Sequence, residues 1–494
     1  MQPPATLIGR DREWSALDDF LSHPDPHVRI AVLSGRRRVG KSYLLRALAA
    51  GTGGLFVTGV AEEDSRAARL RLAGDIARYA GVGVDLLGPD ASWEELLRTA
   101  VELVVRHGGP GGLLVIDELP YWLAHSPQVV GVLQLLYDRS RAGDGPGGGR
   151  VVLCGSAMSV MRELLSGTKA LRGRAVLDLR LDAFDLPTTA GYWGVEEPAA
   201  ALHLHAILGG SPGYRDLAPR APRRQTDVAG WVAGTVLNPG QALYSRSETE
   251  YLLREDPKFT GSALHYGILG AVAAGASSPA KIGGLLGRDR TTLTRPIDAL
   301  VAAGFLRRDV DPLWERRTVL TLADPIVRFH HAVTVPRYEL VETGGAAAAW
   351  RDARPAYSAR VVGPHFEYLA REWLRRHAPA ELRERSGLIA AAVVRDTRGR
   401  AQHEIDVLGL RSGGRRAEVT VIGEAKATVV PRGHADIDRL DRIRAVLSDR
   451  GHRTDRTRLV LFSMYGFAEG LRRTAPTRAD LLLVDLAAMV RGAD

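Results

Sequence analysis

Gly35-Arg36-Arg37-Arg38-Val39-Gly40-Lys41-Ser42 satisfies the phosphate-loop pattern G-x-x-x-x-G-K-[ST] without a mismatch. The octet follows the apolar run Ile30 to Leu33 and precedes a helical pattern through Lys41 to Ala50. A strand before the loop and a helix after it are what the chemistry requires. The glycines let backbone N–H groups converge on phosphate oxygens, and the helix N-terminus favours an anion. Lys41 is expected to reach the β- and γ-phosphates, and the Ser42 hydroxyl to bind Mg²⁺. The expected nucleotide-contacting set runs from Gly35 through Tyr43.

Leu113-Leu114-Val115-Ile116-Asp117-Glu118 reads as a buried strand ending in two acids. Asp117 is expected to orient Mg²⁺ through water, and Glu118 to polarise the attacking water. Val151 to Cys154 reads as another strand, after which Ser156 suits either sensing of the γ-phosphate or capping of the next helix. Leu55 to Val60 and Val176 to Leu179 complete the apolar runs. Strands alternating with helical stretches predict a parallel α/β sheet. From Ala200 to about Arg254 the pattern turns mainly helical, as in a lid over a nucleotide-binding core.

A chain of 494 residues is too long for one ordinary core, so two to four domains are expected. Hydrophobic residues at 45% and charged residues at 25% describe a globular chain rather than a disordered one. No secretory signal and no membrane span are read, since the best apolar candidate, Ala263 to Ala276, is short and interrupted. Cys154 is the single cysteine, which excludes an internal disulfide and a cysteine-based zinc site. A cytoplasmic protein fits these features. The net charge of +9 invites a polyanionic partner, but only five of the 66 basic residues are lysine. Such a skew reflects compositional bias as readily as function. It gives weight to a lysine standing where chemistry demands one, and Lys41 and Lys426 both do.

Residues 7 to about 320 resemble the archaeal-type P-loop ATPases, a branch of the AAA+/STAND group. The resemblance rests on Leu7-Ile8-Gly9-Arg10-Asp11-Arg12-Glu13, the Gly35–Ser42 octet, Leu171-Arg172-Gly173-Arg174 and Gly209-Gly210-Ser211-Pro212. It implies ATP and Mg²⁺ bound between a core and a helical lid, with Pro212 near the adenine. It also implies Arg174 as arginine finger or sensor, with Arg172 second. An arginine finger acting in trans would require a homo-oligomer.

Between about Tyr266 and Arg317 the sequence predicts a winged helix-turn-helix. Its helices are Ile268 to Ala274, Ser278 to Leu286 and Thr291 to Ala303, and its wing strands Phe305 to Val310 and Thr318 to Leu322. Arg288, Arg290, Arg295, Arg307, Arg308, Arg316 and Arg317 suit phosphate contacts on DNA. A lid element that touches no nucleic acid is the other reading. The Gly- and Ala-rich stretch Thr343 to Ala349 is expected to be a linker.

The remainder predicts a helix at Phe366 to Arg376 and strands at Ile389 to Arg395, Glu404 to Leu410 and Glu418 to Lys426. A helix at Asp436 to Leu447 and a strand at Arg458 to Phe462 follow. Asp406 and Glu424 lie 18 residues apart, compatible with adjacent antiparallel strands, and Glu424 and Lys426 share one strand face. Asp406 and Glu424 could hold Mg²⁺ while Lys426 positions a water or stabilises phosphate charge, with Glu367 as a fourth member. This resembles the PD-(D/E)xK restriction-endonuclease-like core. That resemblance implies either metal-dependent cleavage or binding of DNA or a partner without cutting.

The expected fold is α/β: a P-loop NTPase parallel sheet (1–199), a helical lid (200–260), a winged helix (261–342) and a restriction-endonuclease-like α/β domain (343–494). The expected function is ATP hydrolysis acting on DNA. The alternative is a nucleotide-gated signalling or regulatory protein whose C-terminal domain binds a partner. A small-molecule kinase would leave the lid, the winged helix and the second acid cluster without a role.

Overall fold

Arg29–Ser34 forms β1, whose residues are buried from Ile30 onward. In the computed structural model, which describes residues 1–83, 88, 90–167, 169–218, 220–256, 259, 263–314, 317–396, 399–411 and 417–492, β1 lies inside a five-stranded sheet. Its strands are β2 (Leu55–Thr58), β3 (Leu113–Asp117), β4 (Arg150–Gly155) and β5 (Ala175–Arg180), ordered β2-β3-β4-β1-β5. Every pairing is parallel. The helices are α1 (Asp11–Ser22), α2 (Lys41–Thr52), α3 (Ser65–Ala80), α4 (Trp93–Gly108), α5 (Leu119–His125), α6 (Val129–Ala142) and α7 (Met158–Leu164).

Alternation along the strands produces the layers. Ile30, Val32, Leu114, Ile116, Val151 and Leu153 pack with Leu72, Ile76, Leu97, Val101 and Leu133 of α3, α4 and α6. Ala31, Leu33, Val115, Val152 and Cys154 pack with Trp14, Leu17, Leu44 and Leu48 of α1 and α2. Burial on both faces is why β3 and β4 read as continuous apolar runs. Each large aliphatic side chain so buried contributes about 1.5–3 kcal/mol. The chain leaves β1 through α2 to the far edge strand β2, so the loops after β1, β3 and β4 open at one sheet edge. Thus β2 is shorter than its apolar run suggested. Gly59, just past it, lies so close to the Glu118 carbonyl that an added Cβ would sit 2.5 Å away. The stretch between Val60 and Gly108, silent in strand pattern, folds as α3 and α4. Asp64 caps the first and a Ser92–Glu95 capping box opens the second.

This unit comprises Met1–Ala183, Ser211–Gly213 and Leu252–Thr260; the second comprises Phe184–Gly210, Tyr214–Tyr251 and Gly261–Asp494. The expected lid stretch is therefore shared between the two. From Leu186 onward the helices are α8 (Leu186–Trp193), α9 (Pro198–Leu208), α10 (Val228–Gly234) and α11 (Ser245–Arg254). Next come α12 (Ala263–Ala273), α13 (Pro279–Leu286), α14 (Arg290–Ala302) and the antiparallel pair β6 (Leu306–Val310) and β7 (Thr318–Leu322).

Helices α15 (Pro325–Phe329), α16 (Tyr338–Glu342), α17 (Ala346–Tyr357), α18 (Gly363–Arg376) and α19 (Ala380–Arg385) follow. The stretch expected as a linker thus opens a helix at Ala346, and Ala349 and Trp350 are buried. Alanine is the best helix former, which outweighs the two glycines before it. The last sheet joins β8 (Leu388–Asp396), β9 (Ala401–Arg411) and β10 (Glu418–Lys426), with β9 antiparallel to both neighbours. It continues in parallel through β11 (Arg458–Ser463) and β12 (Leu481–Asp485), a strand absent from the sequence reading. Helix α20 (His434–Asp449) packs Ile437, Leu440 and Ile443 into this sheet's core, and α21 (Glu469–Thr474) and α22 (Leu486–Arg491) complete the unit. Among the described residues no helix is long and apolar enough to cross a membrane.

Candidate functional site

The glycines of the loop between β1 and α2 fix its backbone path. A Cβ on Gly35 would lie 2.6 Å from the Leu181 carbonyl oxygen, so the first position tolerates nothing larger. Gly40 has φ +95°, a conformation that side chains oppose, and it ends the loop where α2 begins. Val39 is buried in the core, which anchors the loop from below. Arg10, also buried, donates to the Val39 carbonyl at 2.8 Å and steadies the same turn. Gly213 N–H donates to the Arg38 carbonyl at 2.9 Å, and the Pro212 ring faces Gly40.

At the mouth of this loop three residues from three strand ends meet. Lys41 is 4% exposed; its ammonium donates to Ser156 Oγ at 2.8 Å and to the Arg36 carbonyl at 3.1 Å. Ser156 Oγ in turn donates to Glu118 Oε1 at 2.7 Å, and Ser156 N–H points at Glu118 Oε2 at 3.3 Å. Glu118 adopts a left-handed φ of 50°, which turns its side chain back over the sheet edge. Such a conformation costs a non-glycine residue of order 1–3 kcal/mol and clusters at functional positions. Asp117 is buried and accepts from the Glu118 N–H at 3.1 Å. Burial, and then Asp117 beside it, push the Cys154 thiol well above its ordinary range, so it stays protonated and inert.

Ser42, second in α2 and half-buried, and Asp117 form an oxygen-only donor pair. Mg²⁺ takes such donors together with phosphate oxygens and water, so this pair fits it. Tyr43 is exposed and its hydroxyl donates to Thr6 Oγ1 at 2.7 Å. Arg174 is bound bidentately by Asp138 of α6, both distances 2.9 Å, and Arg172 donates to the Gly167 carbonyl. Their contacts are therefore with neighbours on the same unit rather than with Lys41. Glu255, which no motif marked, lies at the loop and accepts from Arg37 at 3.0 Å.

In the second unit, the register Gly423↔Val407 brings Asp406 level with Glu424. Ala425 N–H donates to Asp406 Oδ2 at 2.9 Å. Lys426 Nζ lies 2.9 Å from Glu424 Oε1 and 3.7 Å from Asp406 Oδ2. Glu367 is pushed up to about 7 by burial and then by the Asp406 charge. Two arginines without a motif complete the cluster. Arg371 donates to the Asp406 carbonyl at 2.7 Å, and Arg439 Nε lies 3.4 Å from Glu424 Oε2. That oxygen is buried and makes no hydrogen bond, an orphaned donor atom of the kind Mg²⁺ accepts. Among the described residues, no group of three or more His, Cys, Asp or Glu side chains is arranged to hold a metal ion alone. At either site, ligand oxygens and water would have to complete the shell.

The arginines of α12 to β7 divide into two sets. Arg307 pairs with Asp309, Arg308 with Asp298 and Arg317 with Asp311. Arg288, Arg290 and Arg295 are exposed and make no ion pair among the described residues. On α14, Arg290, Thr291, Thr294 and Arg295 are exposed, whereas Leu293, Ile297 and Leu300 are buried. Arg316 lies outside the described residues.

The parallel five-stranded sheet with helices on both faces, and a phosphate loop at its strand ends, fits a P-loop NTPase fold. Among solved structures, the chain is similar to a Walker-type ATPase of Pyrococcus abyssi: 18% identity over 66% of this chain and 96% of that chain, TM-score 0.48. It is similar to the ORC2 protein of Aeropyrum pernix in ADPNP-ADP complexes: 17% identity over 70% of this chain and 96% of that chain, TM-score 0.40. A STAND protein with a tetratricopeptide repeat sensor from Pyrococcus horikoshii gives 14% identity over 76% of this chain and 52% of that one, TM-score 0.30. No family model and no curated protein matches the chain.

Proposed function

We propose that the chain binds and hydrolyses ATP at the phosphate loop and uses its second unit to act on DNA. The observation that carries the reading is the chain of hydrogen bonds Lys41–Ser156–Glu118 at the end of an intact phosphate loop. Lys41 would hold the β- and γ-phosphates, Ser42 and Asp117 a Mg²⁺ ion, and Glu118 the attacking water. Bound Mg²⁺ would neutralise phosphate charge; the chain's own part is to position the phosphates and draw the water proton toward the Glu118 carboxylate. Ser156 links the lysine on one side of the reacting phosphate to the base on the other.

The α12–β7 segment is read as a winged helix, supported by three helices followed by an antiparallel pair and by exposed Arg288, Arg290 and Arg295. The C-terminal sheet is read as restriction-endonuclease-like, supported by the Asp406, Glu424 and Lys426 cluster. A specific observation favours the second reading, a regulatory protein that binds a partner. Arg307, Arg308 and Arg317, on or beside the wing strands, are already neutralised by acids of their own segment. ATP turnover by the full chain, with and without DNA, beside Lys41→Ala, tests the choice. DNA-stimulated turnover supports the first reading, and nucleotide-driven assembly indifferent to DNA supports the second. Metal-dependent plasmid nicking, lost in Asp406→Ala and Lys426→Ala, tests cleavage; nicking undiminished in both variants would sink it.

A further inference from the structure

We propose that Arg37 and Glu255 form a selectivity pair for the third phosphate: Glu255 holds Arg37 until a ligand carrying a γ-phosphate takes it away. The inference rests on the nucleotide reading of the phosphate loop and deepens it.

Arg37 occupies a position that the loop pattern leaves open, two residues after Gly35. Its Nη1 donates to Glu255 Oε1 at 3.0 Å, and it also hydrogen-bonds Tyr121 on α5. The Glu255 side chain is 8% exposed against 30% for Arg37, so the carboxylate is the buried partner. It is clipped in place by its neighbour. Asp256 accepts from Ser159 Oγ at 2.8 Å and from Ser159 N–H at 3.3 Å, at the start of α7. Burial, then the charge of Glu118 against the opposing pull of Arg37, push the Glu255 carboxyl above its ordinary range, and Lys41 also acts on it. Glu255 therefore lies within electrostatic reach of the lysine and the acid that would flank a γ-phosphate.

A third phosphate at Lys41 would add a strongly charged group beside the carboxylates of Glu118 and Glu255. Like charges in a partly dry crevice repel, so Glu255 is the group disfavoured by its arrival. The Arg37 guanidinium meanwhile gains a better acceptor, because phosphate oxygens match its planar fork of donors. ADP does not bring that group and leaves the pair closed. Arg37 thus favours the triphosphate, and Glu255 tempers that preference, because the γ-phosphate has to take the guanidinium from a fixed carboxylate.

The test is equilibrium binding of a non-hydrolysable ATP analogue and of ADP, with Mg²⁺, to the full chain. Glu255→Gln removes the competitor: analogue affinity rises about tenfold, the size of one charge-assisted hydrogen bond, and ADP affinity changes less than twofold. Arg37→Gln lowers affinity for the analogue by more than it lowers affinity for ADP, and the double variant matches Arg37→Gln. Arg37 is a partly exposed loop residue, so this variant reads the pair even where Glu255→Gln melts early. Equal shifts for both nucleotides in Glu255→Gln, no shift for either, or a gain that survives in the double variant overturns the pair. A folded wild-type chain that binds neither nucleotide overturns the underlying reading, and the pair with it.

Discussion

The ammonium of Lys41 donates to the hydroxyl of Ser156 at 2.8 Å, although 115 residues separate them. Because the Ser156 hydroxyl in turn donates a hydrogen bond to Glu118, a phosphate-binding cation and a candidate base are linked through one hydroxyl. Ser156→Ala removes that link while leaving both charges. We expect turnover to fall about tenfold, the scale of one hydrogen bond, with KM within about twofold. Steady-state ATPase measurements separating kcat from KM check this.

Lys41 and Glu118 should separate binding from chemistry. Lys41→Ala is expected to abolish nucleotide binding. Glu118→Gln keeps the shape and the contact with Ser156 but removes the base. Binding of ATP should persist while turnover drops by about 10²–10⁴-fold. Calorimetry on both variants beside ATPase assays is the check.

The two arginine sets should differ in their salt dependence. Replacing Arg290 and Arg295 by Glu should lower DNA affinity and reduce the slope of log K against log salt by about 2, one contact each. Arg308→Glu, whose native charge Asp298 already occupies, should change the slope less. Anisotropy titrations at several salt concentrations read both, and equal slopes would remove α14 from any DNA contact.

Acid should destabilise the second unit through its buried histidines. Burial pushes the His203 and His331 imidazoles down to about 4 and His330 to about 3. Each folded pKa lies below the unfolded value near 6.5, so the unfolded chain takes up protons first. Stability is therefore whole above pH 6.5 and falls from there down toward about 4, by roughly 1.4 kcal/mol per pH unit per site. Melting temperatures from pH 7.5 to 5 should decline, less steeply in His203→Gln.

Arg150 is fully buried, and its guanidinium donates to the carbonyls of His23, Asp25, His27, Gly148 and Gly149. Arg150→Ala strips that set at once and should cost about 3–5 kcal/mol, as for other buried charged networks that lose one partner. Arg141→Ala, which breaks a surface pair with Asp25 and an exposed cation–π contact with Tyr137, should stay within about 1 kcal/mol. Urea unfolding of the two variants compares them.

The Gly35–Ser42 octet, the apolar strand ending in Asp117-Glu118, and the two-residue spacing of Glu424 and Lys426 were all legible in the sequence. Each is a local pattern, set by backbone geometry or by the alternation of a strand. So was the parallel sheet, because burial on both faces leaves unbroken apolar runs. The arginines told little, since a chain with 61 of them offers no contrast between one that grips an acid and one that faces water. Only the tertiary structure paired Arg174 with Asp138, brought Glu255 to Arg37, set Arg439 beside Glu424 and joined Ser156 to Lys41. Those partners lie 15 to 218 residues apart. A side chain's partner is decided by which strand ends and loops the crossovers bring together, and that distance is written nowhere in the local pattern.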